Sequence, residues 1–247
     1  MATIRDIKVT AIVIGETDYK ESSKILRLFT RDLGIISAMA RGAKRAKSRM
    51  QNISSIFCVS KLSLSQRSDF YYINDGKILD LNEELRTDLR SIYSAQLCIE
   101  LVEKSLMQGQ IHVDLFDLLI KTIKILKTCH NKIRLISMFI IKYVSMIGYK
   151  PELRKCVSCG LFPKNLSFSI IEGGICCLNH PISAIELKDT EYKYLLWILY
   201  SKLELVDEVK FELDEKKIFK IIIDFVIEQT GMKKPRVLDA FSSFMLN

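Results

Sequence analysis

Four side chains in the middle of the chain have the types and the spacing of a metal-binding site. Two residues separate Cys156 from Cys159 and Cys177 from His180, and 17 residues lie between the two pairs. Two such pairs, about 15 to 20 residues apart, are typical of a structural zinc site. Zinc takes four tetrahedral ligands, and a two-residue gap lets one turn present two of them. Because four protein ligands leave no open position, the pattern predicts one structural Zn²⁺ per chain and no activated water.

Other interpretations of the cysteines stay open. Cys176 is a competing ligand, because a gap of three residues separates it from His180. A disulfide framework is disfavoured, since the cysteine count is odd and residues 1–6 lack the apolar core of a secretory signal. We therefore expect a reducing compartment. Three of the seven cysteines have the character of small buried apolar residues, namely Cys58, Cys98 and Cys129.

The charge of the chain is positive and unevenly distributed. The net charge is +8; residues 1–80 carry 14 Lys and Arg against 8 Asp and Glu, and residues 81–247 carry 23 against 21. A solvated surface explains part of such an excess. Its concentration in the first third of the chain is typical of a segment that meets a polyanion.

The apolar residues are numerous enough for folded cores but are not arranged for a membrane. Hydrophobic residues make up 49% of the chain, and the mean hydropathy is +0.15. A spanning helix needs about 18 uninterrupted apolar residues. The two richest stretches, 135–147 and 218–227, are interrupted by Lys142, Lys220 and Asp224. We therefore expect a soluble intracellular protein and no membrane partner.

The first 80 residues are predicted to form short strands. Apolar and β-branched runs fall at 8–14, 24–30, 35–41, 57–65 and 70–73, parted by polar residues or glycine. Between the second and third runs, Gly34 can supply the positive φ of a hairpin turn. Five strands in so small a segment predict a closed barrel of the OB type.

Beyond Leu85 the apolar period becomes that of helices. One face of the first helix carries Leu85, Leu89, Ile92, Ile99 and Leu106, and further helices are predicted over 114–128, 134–147, 190–203 and 214–229. Asp214 is the expected N-cap of the last, and Gly231 its C-terminal stop. The fold class is therefore multi-domain α+β. An OB-fold DNA-binding barrel occupies 1–80, and an α-helical domain occupies 81–247 with a zinc-finger segment inserted at about 154–182.

A basic loop without acidic residues follows the third predicted strand. Its cations are Arg41, Lys44, Arg45, Lys47 and Arg49. Such a cluster neutralises phosphates and releases counterions, which gives DNA affinity without sequence preference. The neighbouring strand is predicted to extend this DNA-binding patch through Lys24, Arg27 and Arg31. Strand aromatics either stack bases or pack in the core; they are Tyr19, Phe70, Tyr71 and Tyr72.

Nothing in the sequence predicts a chemical step. Of the three histidines, His180 is a predicted ligand, and His112 and His130 lie near predicted helix ends. Gly-rich phosphate loops, nucleophile elbows and paired-carboxylate signatures are absent from the sequence. We therefore predict a protein that is not an enzyme. A zinc-dependent hydrolase is the alternative, and it requires an exchangeable water on the metal.

Several stretches, taken in order, resemble the bacterial recombination mediator family RecO. Residues 9–49 look like its N-terminal signature, 147–160 like its entry into the first zinc pair, 168–180 like the second pair, and 230–241 like its closing helix. These stretches span most of the chain. Alignment on the glycine pair at 173–174 favours Cys177 over Cys176 as the ligand. His180 is a departure, since the family often has a fourth cysteine there.

The resemblance implies a non-enzymatic role in DNA repair and recombination, in the cytoplasm of a bacterium and in association with the nucleoid. An OB-fold that binds single- and double-stranded DNA and anneals complementary strands is expected. Partners implied in the same way are RecR, the C-terminal tail of single-strand binding protein (SSB), RecF and RecA, with RecA loaded on SSB-coated strands. The alternative function is that of a protein–protein adaptor, in which the helical domain binds SSB or RecR and DNA contact is secondary.

Overall fold

The computed structural model describes residues 6–67, 70–177 and 184–245. The chain divides into two compact units. The first comprises Met1–Thr87 and Leu106–Ile120, and the second comprises Asp88–Ser105 and Lys121–Asn247. The predicted domain limits of 1–80 and 81–247 stay a prediction.

The first unit contains a closed five-stranded barrel. Its strands are β1 (Asp6–Tyr19), β2 (Ser23–Thr30), β3 (Gly34–Ala40), β4 (Val59–Arg67) and β5 (Phe70–Asp80). They follow the order β1-β2-β3-β5-β4, and β4 pairs with β1 to close the barrel. Only the β3–β5 pair is parallel among the described strand pairs. This small partly antiparallel barrel is the predicted OB architecture, which is confirmed.

The period-two alternation of the strands explains the barrel interior. On β2, Leu26 and Leu28 are fully buried in the barrel core, whereas Arg27 between them is exposed. Between β3 and β4, the short helix α1 (Arg49–Ile53) places Ile53 in the same core. The turn before β3 has Gly34 at φ 65°, as predicted. The helix α1 therefore packs against the barrel core between β3 and β4. The basic residues 41–48 connect β3 to this helix.

Two strands are longer than the sequence predicts. β1 continues through Glu16, Thr17 and Asp18, which pair with β2 beyond a register shift at Gly15. β5 continues past Ile73 to Asp80, because its polar residues still pair with β4. These residues lack the apolar alternation by which strands are recognised, and cross-strand hydrogen bonds hold them instead.

The second unit is built mainly from helices. The helices of the chain after α1 are α2 (Leu89–Ser105), α3 (Val113–Leu126), α4 (Lys132–Met146), α5 (Asp189–Tyr200), α6 (Glu215–Thr230) and α7 (Leu238–Met245). α4 contacts α2, α5 and α6. Its residues from Leu135 to Ile141 are all buried, so it forms the centre of this unit. The helical region that follows the barrel is confirmed.

The ends of α6 match the caps expected from the sequence. The carboxylate of Asp214 accepts the N–H of Lys216, and Gly231 is left-handed at φ 63°. The closing helix α7 begins at Leu238, three residues after Pro235. The carboxylate of Glu100 on α2 accepts the free N–H groups of Arg236 and Val237.

A small sheet carries the cysteine-rich segment of the second unit. Its strands are β6 (Leu166–Ser169), β7 (Gly174–Cys177) and β8 (Ile185–Glu186), in the order β7-β6-β8. Among the described residues no helix combines the length and the apolarity needed to cross a membrane.

Candidate metal centre and nucleic-acid interface

Three of the four predicted metal ligands come together in space. The Sγ atoms of Cys156, Cys159 and Cys177 lie within 4.8 Å of one another, and those of Cys159 and Cys177 are 3.7 Å apart. The fourth predicted ligand, His180, lies outside the described residues. On β7 adjacent side chains point to opposite faces, so the fully buried Cys176 points away from the thiol cluster of which Cys177 is a member.

The local backbone of the cluster fits a metal-bound thiolate. Sγ of Cys156 accepts backbone N–H groups of Cys159 at 3.5 Å and of Cys177 at 3.4 Å. Hydrogen bonds of this kind favour the charged form of a sulfur ligand. Gly174 permits the arrangement, because a Cβ there would lie 2.4 Å from the carbonyl oxygen of Glu152. The glycine thus lets residue 152 approach β7 beside the cluster.

In the absence of a cation, the surroundings of Cys177 favour the neutral thiol over the thiolate. Desolvation and, after it, the neighbouring thiols of Cys159 and Cys156 together raise the pKa of Cys177 to about 11. A divalent cation reverses this preference, since a coordinated thiol is deprotonated. The three thiols therefore fit a zinc ion, which would fix the segment structurally; the ion and the complete ligand set stay predictions.

The basic loop of residues 41–48 has a fixed backbone and outward side chains. Ala43 is 1% exposed and packs in the barrel core. The N–H of Lys44 donates to the carbonyl of Ser22 on the β1–β2 turn at 3.1 Å. Ser48 ends the loop as the N-cap of α1. The short sequence of small and capping residues thus anchors the loop while its cations stay exposed.

The predicted DNA-binding cations differ in their partners. Lys44 Nζ lies 2.7 Å from Asp18, and Arg49 Nη1 lies 3.6 Å from Asp75. The hydrogen bond from Lys44 lowers the pKa of Asp18. Within the described part of the chain, no carboxylate pairs with the remaining three loop cations, which are Arg41, Arg45 and Lys47. These three carry uncompensated charge that a phosphate can neutralise.

The strand residues do not form one patch with each other. Lys24 and Arg27 are three residues apart on the regular strand β2, so they point to opposite faces. Lys24 lies 2.8 Å from Glu16, near the anchored loop. Arg31, predicted to extend the patch, instead donates two hydrogen bonds to Asp117, at 2.9 and 3.0 Å. The exposed cations without carboxylate partners among the described residues are therefore concentrated on the loop and not on β2.

Sequence reasoning missed one cation of this region. Arg67, at the end of β4, places its guanidinium carbon 5.6 Å from the ring centroid of Tyr72, and that of Arg41 lies 5.1 Å from the same ring. Arg67 and Phe70 are direct cross-strand partners on β4 and β5. The sequence did offer a signal for this cation, because two strands are predicted on either side of residues 66–69. If they pair as a hairpin, Arg67 lies opposite Phe70, and the alternation of the strand places Tyr72 on the same face.

The barrel and the thiol cluster define an OB-fold protein whose helical region carries three cysteines arranged as in a metal-binding site. A family model described as Recombination protein O N terminal matches residues 1–82, and one described as Recombination protein O C terminal matches residues 86–238. The chain belongs to the RecO family, which gives it a role in DNA repair and recombination.

Individual relatives agree over nearly the full length. The chain is 31% identical over 242 residues to the DNA repair protein RecO of Halalkalibacterium halodurans, covering 96% of this chain and 95% of the relative. It is 27% identical over 245 residues to proteins of the same name from Bacillus cereus and Bacillus anthracis, covering 97% of this chain and 99% of each relative.

Proposed function

We propose that this protein is a DNA-binding recombination mediator that works without a chemical step of its own. It binds single- and double-stranded DNA and anneals complementary strands. With RecR and RecF it helps RecA replace SSB on single strands, and it contacts the acidic C-terminal tail of SSB. The observation that carries the DNA part of the proposal is the anchored loop with Arg41, Arg45 and Lys47 free of carboxylate partners among the described residues.

The proposed mechanism follows from charge and from a fixed backbone. Lysine and arginine on the loop neutralise phosphates and release the counterions condensed on them. Contacts to phosphate carry no sequence information, so any strand can bind. Two strands whose repulsion is reduced and whose local concentration is raised can then pair. The metal site takes no part in this step; zinc would hold the cysteine segment in shape.

Neutralising the loop tests the DNA-binding part of the proposal. The variant combines Lys44→Gln, Arg45→Gln, Lys47→Gln and Arg49→Gln, and single-strand affinity is measured against salt concentration. Each phosphate contact on a single strand contributes roughly 0.7 to the magnitude of the slope of log affinity against log salt, so the slope falls by about 1.4 if only the unpaired Arg45 and Lys47 contact phosphates and by about 3 if all four cations do. An unchanged affinity and slope would contradict the assignment.

A matched control separates a local contact from a change in net charge. Four exposed lysines of the second unit, also changed to Gln, remove the same charge elsewhere; they are Lys164, Lys202, Lys210 and Lys233. We expect this control to retain the salt slope. Within the loop, Arg45→Gln should cost more affinity than Lys44→Gln, because Lys44 already pairs with Asp18.

The adaptor alternative also has a structural basis. In the cysteine segment Leu161, Phe162 and Ile171 are 71%, 58% and 62% exposed, and large exposed apolar side chains are typical of protein contacts. Replacing the three by Ser and measuring binding to RecR and to an SSB-tail peptide tests it. Loss of partner binding with normal DNA binding favours the adaptor, whereas annealing of bare strands by the purified wild type favours the mediator.

A further inference from the structure

Two guanidinium groups and two aromatic rings share the outer face of the barrel at β3, β4 and β5. Tyr72 pairs with Met39 on β3 and with Ser65 on β4, and Arg41 follows Met39 by two residues. The ring of Phe70 lies 5.6 Å from that of Tyr72, edge to face at 71°. Period two places this group on the side of the sheet opposite to Tyr71, which packs against the barrel core.

The two arginines are held over the ring of Tyr72 and are not tied to carboxylates in the described part of the chain. Their guanidinium carbons lie 5.1 and 5.6 Å from the ring centroid, within the range of a cation–π contact. Both side chains belong to exposed residues, while Phe70 and Tyr72 are partly exposed. The outer face therefore offers flat, positively charged groups beside flat aromatic ones.

We propose that Tyr72, flanked by Arg41, Arg67 and Phe70, is a stacking site for an unpaired nucleobase. This inference rests on the proposed function, and it names single-stranded DNA as the preferred ligand of the barrel. Guanidinium planes and aromatic rings both stack on the π-face of any base, so the site is indifferent to sequence. In a duplex the faces of each base are covered by its neighbours, and the site has nothing to bind.

The position of Arg41 connects the stacking site to the basic loop. Arg41 lies at the start of the loop, so its side chain contacts Tyr72 while the following cations face a phosphate backbone. One strand can therefore place its phosphates on Arg45 and Lys47 and a base beside Tyr72. Stacking and charge are the two components by which sequence-tolerant single-strand sites hold their ligand.

Two ligands of equal charge separate stacking from phosphate binding. The first is an oligothymidylate of about 15 nucleotides, and the second is an abasic strand of the same length. We expect the wild type to bind the oligothymidylate more tightly. Tyr72→Leu should lower its affinity for the oligothymidylate about 30-fold, the middle of the range for one stacked base, and leave the affinity for the abasic strand unchanged. Tyr72→Phe keeps the ring and should keep the preference.

The matched control lies in the second unit, where Tyr200 is 59% exposed and Lys150 Nζ lies 5.0 Å from its ring centroid. Tyr200→Leu removes a similar cation-covered ring and should leave both affinities unchanged. Equal binding of the two ligands by the wild type overturns the proposal, and so does a Tyr72→Leu protein that retains the preference.

Two further measurements keep the outcome interpretable. Photocrosslinking of the wild type with a 5-iodouracil strand should label Tyr72 or Phe70, which does not depend on the folding of a variant; labelling at neither residue overturns the stacking site. The loop variant of the proposed function should weaken both ligands equally. If the loop variant binds both ligands as tightly as the wild type does, the proposed function is wrong. If the loop variant loses affinity as expected but the wild type binds the two ligands equally, only the stacking inference is wrong.

Discussion

Arg134 and Glu215 form a two-point ion pair that joins the first turn of α4 to the first turn of α6. Nε of Arg134 donates to Oε2 at 3.1 Å and Nη2 donates to Oε1 at 2.5 Å. The side chains are 6% and 14% exposed. Nη1 donates to the carbonyls of Val206 and Val209, and the hydroxyl of Tyr194 donates to Glu215 at 2.7 Å. Four of the five N–H groups of Arg134 and both carboxylate oxygens of Glu215 thus take part in hydrogen bonds.

Removing one partner of this pair should be costly. Arg134→Met leaves the carboxylate of Glu215 without its cation, and breaking a buried pair in this way costs about 3–5 kcal/mol of unfolding free energy. Urea denaturation measures the loss. Arg134→Met combined with Glu215→Met leaves no unpaired charge and should cost less than the sum of the two single changes. A double-mutant cycle with an interaction energy near zero would show that the pair does not stabilise the unit.

Elements that depend on neighbouring residues, such as strands and turns, could be predicted from the sequence. The ion pair between Arg134 and Glu215 could not. Leu26 and Leu28 alternate with Arg27, and Gly34 stands where a turn needs positive φ, so neighbouring residues suffice to place β2 and its turn. Arg134 and Glu215 are 81 positions apart. Neither has a local signal, because their pairing depends on how α4 and α6 pack.

The candidate site shows the same division. The spacing of the cysteines predicted a ligand cluster, and the thiols of Cys156, Cys159 and Cys177 do lie together. Lys24 and Arg27 lie on opposite faces of β2, as its alternation indicates, and their contact with DNA stays a prediction. Arg31 was assigned to the DNA surface, but its partner Asp117 is 86 positions away and carries no local signal.

Changing the cysteines one at a time should separate ligands from packing residues. We expect Cys156→Ser and Cys177→Ser to lose bound zinc and to lower the melting temperature, because metal binding contributes folding free energy. Cys176→Ser is the matched control: its side chain is buried but points away from the cluster, so zinc content should persist while stability falls modestly. Zinc per chain, measured by atomic absorption, decides the matter. Loss of zinc from Cys176→Ser alone would reverse the assignment.

Gly34 and Gly109 both have a backbone conformation that favours glycine, but only Gly34 also lacks room for a side chain. Both have positive φ, 65° and 76°. A Cβ on Gly34 would lie 2.2 Å from the carbonyl oxygen of Gln110, whereas a Cβ on Gly109 meets nothing within 4 Å. Gly109→Ala should therefore cost about 1 kcal/mol from backbone strain alone, and Gly34→Ala about 2–4 kcal/mol, because the backbone of Gln110 must also move. Equal losses in chemical denaturation would show that the turn relaxes around the added methyl group.

Lys142 should make stability depend on pH in the weakly alkaline range. Its ammonium donates to the carbonyl of Leu199 at 2.6 Å, and burial, together with the charge of Lys121, lowers its pKa from 10.5 to about 8. Below about pH 8 both the folded and the unfolded chain bind the proton, so the cost of the buried charge is fully present. Between pH 8 and 10.5 the unfolded chain binds more protons, and rising pH therefore stabilises the folded state.

Lys142→Met removes the titrating group and isolates its effect. From about pH 7 to about pH 9.5 the wild type should gain about 1 kcal/mol relative to this variant, after allowance for solvent screening of a partly exposed group. Comparison with the variant cancels the titration of other groups. Lys202→Met, at an exposed position, is the control: it retains Lys142 and should show the same gain over Lys142→Met as the wild type does. If the difference between wild type and Lys142→Met in urea denaturation is the same at both pH values, Lys142 retains its ordinary pKa in the folded protein.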